Sequence, residues 1–378
     1  MIKIDKKYLV RLAQKLIQAD SSNPPGKEKA VVDILAKELR GFCKIKCIEV
    51  AKDRPNLLAI WGSGDKKLII HGHTDTVPAG PGWKFLPFSG KIVGGKLYGR
   101  GSTDMKGTLA AIVAAFRSLK QSKWKPKGQL IFLACCNEEM GDGEEIGMRY
   151  MAKKIKGDLV LLTDTTDFNI TSAEKGALWL EFISKGKEAH GATPWKGVNA
   201  VEKLAKFITE LNKLFLPGAH HLLGKSTISV NMITGGMKTN VIPALCRARV
   251  DVRIVPKEKK EDVIKALQGM IDQLKKEDKD LNIKIKELLY LAPVEIDTAK
   301  PYVSTFVSCA QEVLGKPIQF VGEHGATGAG VFVKASTPTL VFGPGKPELC
   351  HVKDEYIEIE DLVKAAKIYA EFAEKFLS

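Results

Sequence analysis

The residue types best suited to chemistry cluster between Lys67 and Gly107, where two imidazoles and two carboxylates accompany an apolar run and a glycine-rich turn. Leu68 to Ile70 reads as a buried strand, and His71, His73 and Asp75 follow at its C-terminal end with a spacing of two. Residues two apart in an extended chain face the same way. His73 and Asp75 can therefore meet one site, a metal-binding nitrogen beside a carboxylate able to hold the imidazole ring in place. Taken alone, His-Gly-His-Thr-Asp suits a surface hairpin of polar residues equally well, because short His/Asp clusters are weak signals.

Three further strand-like runs end in the same manner. QLIFLACCNEE ends in Glu138 and Glu139, DLVLLTD ends in Asp164, and TLVFGPGKPELCH passes through a glycine turn to His351. Sites in open α/β sheets form in the crevice beyond the carboxyl ends of parallel strands, and a site assembled from several such ends obeys that rule. With Asp104 after the Gly99-Arg100-Gly101 turn, the set becomes two histidines and several carboxylates. That ligand mix suits zinc, cobalt or manganese. Each residue also has a purely structural reading. Glu138 and Glu139 suit a helix start, where acids are favoured; Asp164 and Asp167 suit a turn; His351 suits a surface position before Lys353-Asp354-Glu355.

In order along the chain stand HGHTDTVP, GRGSTDMKG, CNEEMG, LLTDTTD, AHGATPWKGVNAVEKL, TNVIPALCRARVDVR and FGPGKPELCHVKDEYI. Through these segments the chain resembles, end to end, the metallopeptidase family of aminoacylase, acetylornithine deacetylase, succinyl-diaminopimelate desuccinylase and bacterial glutamate carboxypeptidase. The resemblance implies an α/β fold: a mostly parallel-sheet catalytic domain of the di-zinc exopeptidase kind, interrupted by a ferredoxin-like α+β lid or dimerisation domain. It implies two divalent metal ions, zinc first, with cobalt or manganese as alternatives. It assigns the metal bridge to Asp104, one metal to His73 and Asp164, and the other to Glu139 and His351. Glu138 becomes the general base, Asp75 the residue that orients His73, and the Asp104–Met105 peptide bond cis. In the inserted domain His190 is implied to stabilise the oxyanion, often across a dimer, while Asn240 and Arg253 hold the substrate. A guanidinium recognises a carboxylate through two parallel hydrogen bonds, so Arg253 implies a substrate with a free carboxylate near the scissile amide. Its structural reading is a charge at a strand edge. His220, His221 and His324 fall outside the ligand set.

Two positions depart from the family pattern. Asp164 stands where deacylases of the family carry glutamate and aminopeptidase or dipeptidase relatives often carry aspartate. Gly328 stands where relatives commonly have an aspartate.

The elements that position these residues follow from periodicity. Leu9, Leu12, Leu16 and Ile17 recur at helical spacing, and SSNPPGKEKAVVDILAKEL is a turn followed by a second amphipathic helix. Segments near 45–50 and 56–61 are strands, 77–97 is a loop with a short hairpin, and 105–119 is a buried helix. Strand 129–135, helix 143–155 and strand 158–163 continue a βαβ rhythm. After Glu174-Lys175-Gly176 the order becomes β-α-β-β-α-β, the ferredoxin-like pattern. The expected domains are 1–176 and 288–378 for the catalytic part and 177–287 for the insertion.

Composition narrows the class. The chain has 378 residues, 44% of them hydrophobic, room for two domains and a sizeable core. Its net charge of +14 is spread through helical patterns rather than interleaved with aromatics on one stripe, which speaks against nucleic acid and for a solvated surface that steers anionic substrates. No stretch approaches the ~20 apolar residues of a membrane span, MIKIDKKYLVRLAQKL lacks the apolar core of a signal peptide, and the seven cysteines sit mostly in apolar settings. These features place the protein in the cytoplasm. GSGDK and GPGKPE fit neither a phosphate loop nor a dinucleotide fingerprint. The expected protein is a di-metal hydrolase of an N-acyl amino acid or small peptide, a homodimer through 177–287 with His190 completing the partner's site. A dipeptidase or aminopeptidase is the rival within the family. A non-catalytic basic binding protein is the rival outside it, and the full ligand set argues against that.

Overall fold

The site residues follow the ends of short apolar strands, and the pairing of those strands decides whether the ends meet. The computed structural model describes residues 2–140, 146–214 and 216–378. It divides into two compact units, Met1–Ser172 with Ile296–Val321 and Thr327–Ser378, and Ala173–Glu295 with Gly322–Ala326. The strands that frame the site and the second unit are β1 (Lys44–Ala51), β2 (Arg54–Gly62), β3 (Lys67–His73), β4 (Gln129–Cys135), β5 (Leu159–Leu162) and β6 (Ile170–Glu174). Then come β7 (Gly176–Lys185), β8 (Thr227–Gly235), β9 (Leu245–Ile254), β10 (Ile283–Leu291) and, on the chain's return, β11 (Thr339–Val341).

In the first unit the sheet runs β1-β2-β4-β3-β5-β11-β6. Its centre is parallel and in step: His73 pairs with Cys135, His71 with Leu162, and Val341 with Leu162. The C-terminal ends of four adjacent strands are therefore level. Every residue of β5 and β11 is buried, as a parallel strand covered on both faces requires. After α1 (Lys6–Gln18) and α2 (Lys29–Leu39) comes α3 (Lys106–Gln121); Gly72 lies against its Leu109, while His71 packs edge-on against Phe332 of a short helix, Ala329–Lys334. Successive residues of β3 thus face helices on opposite sides. The βαβ rhythm holds only in this centre, because β1–β2, β2–β4 and β11–β6 are antiparallel. Between Ala51 and Arg54 only two residues join β1 to β2, which closes a hairpin and is far too short for a parallel crossover. Part of the helix expected over 143–155 lies outside the described residues; the described helix is Gly147–Ala152.

The second unit has strand order β8-β9-β7-β10, antiparallel throughout. Its helices Ala200–Leu211 and Lys260–Glu277 bury Leu204, Phe207, Leu267 and Ile271 with Phe182 and Val250 of the sheet. This is the ferredoxin-like order, and the unit is wider at both ends than 177–287. No helix among the described residues is long and apolar enough to cross a membrane.

Candidate metal centre

Each of the four level strand ends delivers one part of a polar cluster. β3 ends in His73, and Asp75 lies two residues beyond. β4 passes through Asn137, held at a positive φ of 59°, to Glu138 and Glu139; Asp164 follows β5; and β11 leads to His351, at φ 63°. Asp104 arrives from a loop that ends at α3, and the Asp104–Met105 bond is cis. That loop is fastened by Glu355, whose carboxylate accepts hydrogen bonds from the backbone N–H of Gly101 (3.1 Å), Thr103 (2.8 Å) and Asp104 (3.1 Å). Arg100 adds an ion pair of 2.7 Å to the same carboxylate, which is completely buried.

The cluster is tightly drawn. His73 Nε2 lies 2.9 Å from Asp104 Oδ1, and His351 Nε2 lies 3.3 Å from Asp104 Oδ2 and 2.9 Å from Glu139 Oε2. His73 Nδ1 is 3.1 Å from the Asp75 carbonyl and 3.6 Å from its carboxylate. The Asp75 carboxylate accepts from the backbone N–H of Glu138 and Glu139, both at 3.1 Å. Asp164 accepts from Thr165 N–H at 2.7 Å. Asn23 and Arg54 bond to residues of the same cluster.

The charges of the cluster perturb one another. Burial raises Glu138 well above the usual carboxylate range against the opposing charge of His73, and the neighbouring Glu139, Asp164 and Asp104 raise it further. Burial and Asp104 likewise push Asp164 up to about 6, and burial raises Glu139 although its hydrogen bond with His351 acts against it. Burial acts to lower His73, yet its bonds with Asp104 and Asp75 hold it well above the ordinary histidine value. Hydrogen bonds to Asp104 and Glu139 push His351 up to about 10. These perturbations are what crowded, desolvated acids and the imidazoles bonded to them produce.

A divalent ion fits this set. Ligand atoms of His73, Asp104 and Glu139 lie within 4.8 Å of one another, and Glu139 Oε1 is buried without a hydrogen-bond partner. A buried carboxylate oxygen of that kind is satisfied by pairing or by a metal. Imidazole and carboxylate are zinc-type donors. His71, in contrast, is a packing group: it is fully enclosed, both ring nitrogens lack partners, and burial with the charge of His73 lowers it to about 3.

The remaining predicted residues belong to the second unit. His190 is exposed and pairs with Val241, and Gly191 N–H donates to the Asn240 carbonyl at 2.8 Å, so His190 and Asn240 are neighbours. Arg253 is not with them. It pairs with Ala177 at one end of β9, whereas Leu245, at the other end, pairs with Lys185 on the side of His190. Eight residues of strand separate the two ends by roughly 26 Å. Arg253 also forks onto Asp251 at 2.9 and 3.0 Å. The sequence therefore groups Arg253 with two residues from which a single copy holds it apart.

At Gly328 a side chain would meet the flexible end of Met148, whose Sδ would have to shift to make room. Sequence reasoning missed Glu355, which reads as part of an exposed charge run, and Asn23, which reads as turn chemistry.

A model of the family described as Peptidase family M20/M25/M40 matches residues 69–375. A protein named probable succinyl-diaminopimelate desuccinylase, from Staphylococcus aureus (strain MRSA252), is 29% identical over 369 residues, covering 88% of this chain and 89% of its own. An acetylornithine deacetylase from Proteus mirabilis (strain HI4320) is 30% identical, covering 98% of this chain and 95% of its own. Among solved structures, the aminopeptidase PepT from Bacillus cereus ATCC 10987 superposes with a TM-score of 0.80 over 99% of this chain and 100% of that one, at 22% identity.

Proposed function

From the premise that this chain belongs to peptidase family M20/M25/M40, and is thus a metallohydrolase of amide bonds, we propose that it cleaves an N-acyl amino acid or small peptide bearing a free carboxylate. Glu138 is its general base. The observation that carries the reading is the convergence, at four level strand ends, of two imidazoles with a carboxylate set that leaves Glu139 Oε1 unpaired.

Asp104 presents one carboxylate oxygen to His73 and the other to His351, which supports a bridging role. His73 with Asp164 and His351 with Glu139 complete two metal positions, with zinc first and cobalt or manganese as alternatives. Two bound divalent ions supply Lewis acidity and lower the pKa of a water. Among the described residues Glu138 enters none of the histidine–carboxylate pairs, so its carboxylate is available to take a proton from the attacking water and pass it to the leaving nitrogen. Asp75 holds the His73 ring and the two backbone N–H groups of Glu138 and Glu139.

The second unit is the lid and dimerisation domain in this reading. His190, as oxyanion donor, acts with Asn240 from one copy while Arg253 of the other binds the substrate carboxylate. The separation within one copy favours this division. A C2 pairing needs a self-complementary patch, and the strand β8 with Met232 and Ile233, more than half exposed, and Met237, 92% exposed, offers an apolar one. Free thiols at all seven cysteines suit a cytoplasmic setting. Asp164 in place of glutamate favours a second reading, a dipeptidase or aminopeptidase.

A screen of acetyl, succinyl and glutamyl amides and of dipeptides, with zinc, cobalt or manganese, tests the proposal. Turnover of acyl amino acids supports the first reading, turnover of free-amino dipeptides alone supports the second, and turnover of neither by fully metal-loaded protein overturns both.

A further inference from the structure

The turn that carries Glu138 is held from behind by a residue more than a hundred positions earlier. We propose that Asn23 is a positioning residue for hydrolysis: one side-chain amide spans Asp75 and Asn137 and so fixes the backbone from which Glu138 projects. The inference rests on Glu138 acting as the base.

A primary amide nitrogen has two N–H groups, and Asn23 uses both. Nδ2 donates to Asp75 Oδ2 and to Asn137 Oδ1, each at 2.9 Å, in an environment that leaves Asn23 3% exposed. Asp75 in turn receives the N–H of Glu138 and of Glu139. Asn137, directly before Glu138, has a left-handed backbone, a conformation that asparagine adopts more readily than most residues. Its Oδ1 receives a second donor, Arg54 Nη2 at 2.9 Å, and Arg54 is itself forked onto buried Glu28 at 2.7 to 3.2 Å.

The segment carrying Asn23 is stitched to the extension of β3. Asn23 N–H donates to Thr76 O at 2.8 Å, Thr76 N–H to Ser21 O at 3.2 Å, and Ser21 Oγ to Thr74 O at 2.7 Å. Lys106, fully buried at the start of α3, donates to Ala19 O at 2.7 Å. Gly26 completes the bracket, since its φ is 78° and a Cβ there would fall on the Arg54 guanidinium. The base-bearing turn is thus clamped through side chains on both sides. Displacing a catalytic group by about 1 Å costs up to 100-fold in rate.

The residue type matters as much as the shape. Aspartate at 23 has the size of asparagine but offers only acceptors, and it would set a second carboxylate against Asp75. A role in filling space alone predicts that Asn23→Asp is milder than Asn23→Ala. A role as double donor predicts the reverse.

The test measures kcat, KM, metal content and Tm for Asn23→Ala, Asn23→Asp, Asn137→Ala and the Asn23→Ala/Asn137→Ala double variant, on the best substrate of the screen. For Asn23→Ala the expected result is a kcat lower by about 10- to 100-fold, the range seen when outer partners of a metal site are removed, with KM nearly unchanged and metal content intact. Asn23→Asp should be slower still, and the double variant no slower than the worse single one. A wild-type kcat for Asn23→Ala, an Asn23→Asp variant faster than Asn23→Ala, or a kcat loss matched by equal metal loss overturns the proposal. If the Asn23 variants do not fold, Asn137→Ala decides alone, its wild-type kcat being the overturning result. A crystal structure of Asn23→Ala gives a readout free of turnover. The Glu138 backbone should withdraw from Asp75, and an unchanged 3.1 Å contact sinks the proposal even if no substrate is ever found, whereas an inactive wild type with a displaced turn counts against the functional reading alone.

Discussion

Replacing Glu355 by alanine should destabilise the catalytic unit more than any other single surface-distant truncation of a polar side chain near the site. The carboxylate is completely buried, accepts three backbone N–H groups from the Asp104 loop and pairs with Arg100, itself 3% exposed. Its removal leaves a buried guanidinium without its counter-ion, which costs about 3–5 kcal/mol. Each stranded N–H adds up to about 1–3 kcal/mol. The contributions are not additive, because the loop relaxes and Arg100 retains the Val352 carbonyl at 3.2 Å. A total of about 4–6 kcal/mol is therefore the working figure. At roughly 2–4 °C per kcal/mol for a domain of about 150–250 residues, the melting temperature should fall by about 10–20 °C. Glu355→Gln keeps one acceptor for the N–H groups of Thr103 and Asp104 but turns an amide NH2 toward Gly101 and Arg100, so its loss should be intermediate.

The assay is thermal unfolding of chelated protein, so that metal binding does not mask the loop's own contribution, followed by metal titration. Asp104 should lose affinity for cations in step with the order of its loop. A fall of less than about 4 °C in chelated Glu355→Ala, which the same conversion equates with some 1–2 kcal/mol, would show that the loop is held by something other than this carboxylate.

Three more outcomes follow from the site. Glu138→Ala should bind metal normally while kcat drops by about 10²–10⁴-fold, the contribution of a general base; elemental analysis beside kinetics checks it, and loss of metal would make Glu138 a ligand. Chelation should abolish turnover and added zinc, cobalt or manganese should restore it, whereas normal turnover after complete chelation removes the metal mechanism. Mixing inactive His190→Ala with inactive Glu138→Ala should recover up to about a quarter of wild-type activity, since half of randomly exchanged C2 dimers are hybrids with one intact site. No recovery after demonstrated subunit exchange would count against His190 acting in trans.

The parts of the fold that periodicity controls were legible. Leu68–Ile70, QLIFLAC, DLVLL and TLV are strands because a largely apolar run of three to seven residues between turns has little else to become in a buried sheet, and the polar residues just past them converge because the strands are parallel. Direction was less legible. Nothing in Lys52-Asp53 advertises the hairpin that makes β1 and β2 antiparallel, since the turn lacks the glycine that usually signals one. Glu355 and Asn23 were missed for a shared reason: each is recruited by long-range packing, 251 and 52 residues away from the groups it serves. A single sequence marks such a residue only by its polarity, which solvent explains equally well. Arg253 is a different case: its distance from His190 within one copy follows from its register on β9, which spacing does not give.

The two kinds of residue divide the work of the site. The strand ends supply His73, Glu139, Asp164 and His351, the loop before α3 supplies Asp104, and the fold alone makes that gathering unfavourable: burial and mutual repulsion raise Glu138, Glu139 and Asp164. Crowded carboxylates of this kind push apart unless their loops are tied down, and the ties are the ones that spacing does not reveal, Glu355 on the Asp104 loop and Asn23 with Arg54 on the Glu138 turn. A ligand set held in place against its own repulsion gains more from a cation than a flexible one, because no ordering has to occur on binding. Binding that favours the folded chain stabilises it by mass action, so a divalent ion should raise the melting temperature of the wild type by more than that of Asn23→Ala or Glu355→Gln. An equal rise in all three would mean that the ligands find their places without those ties.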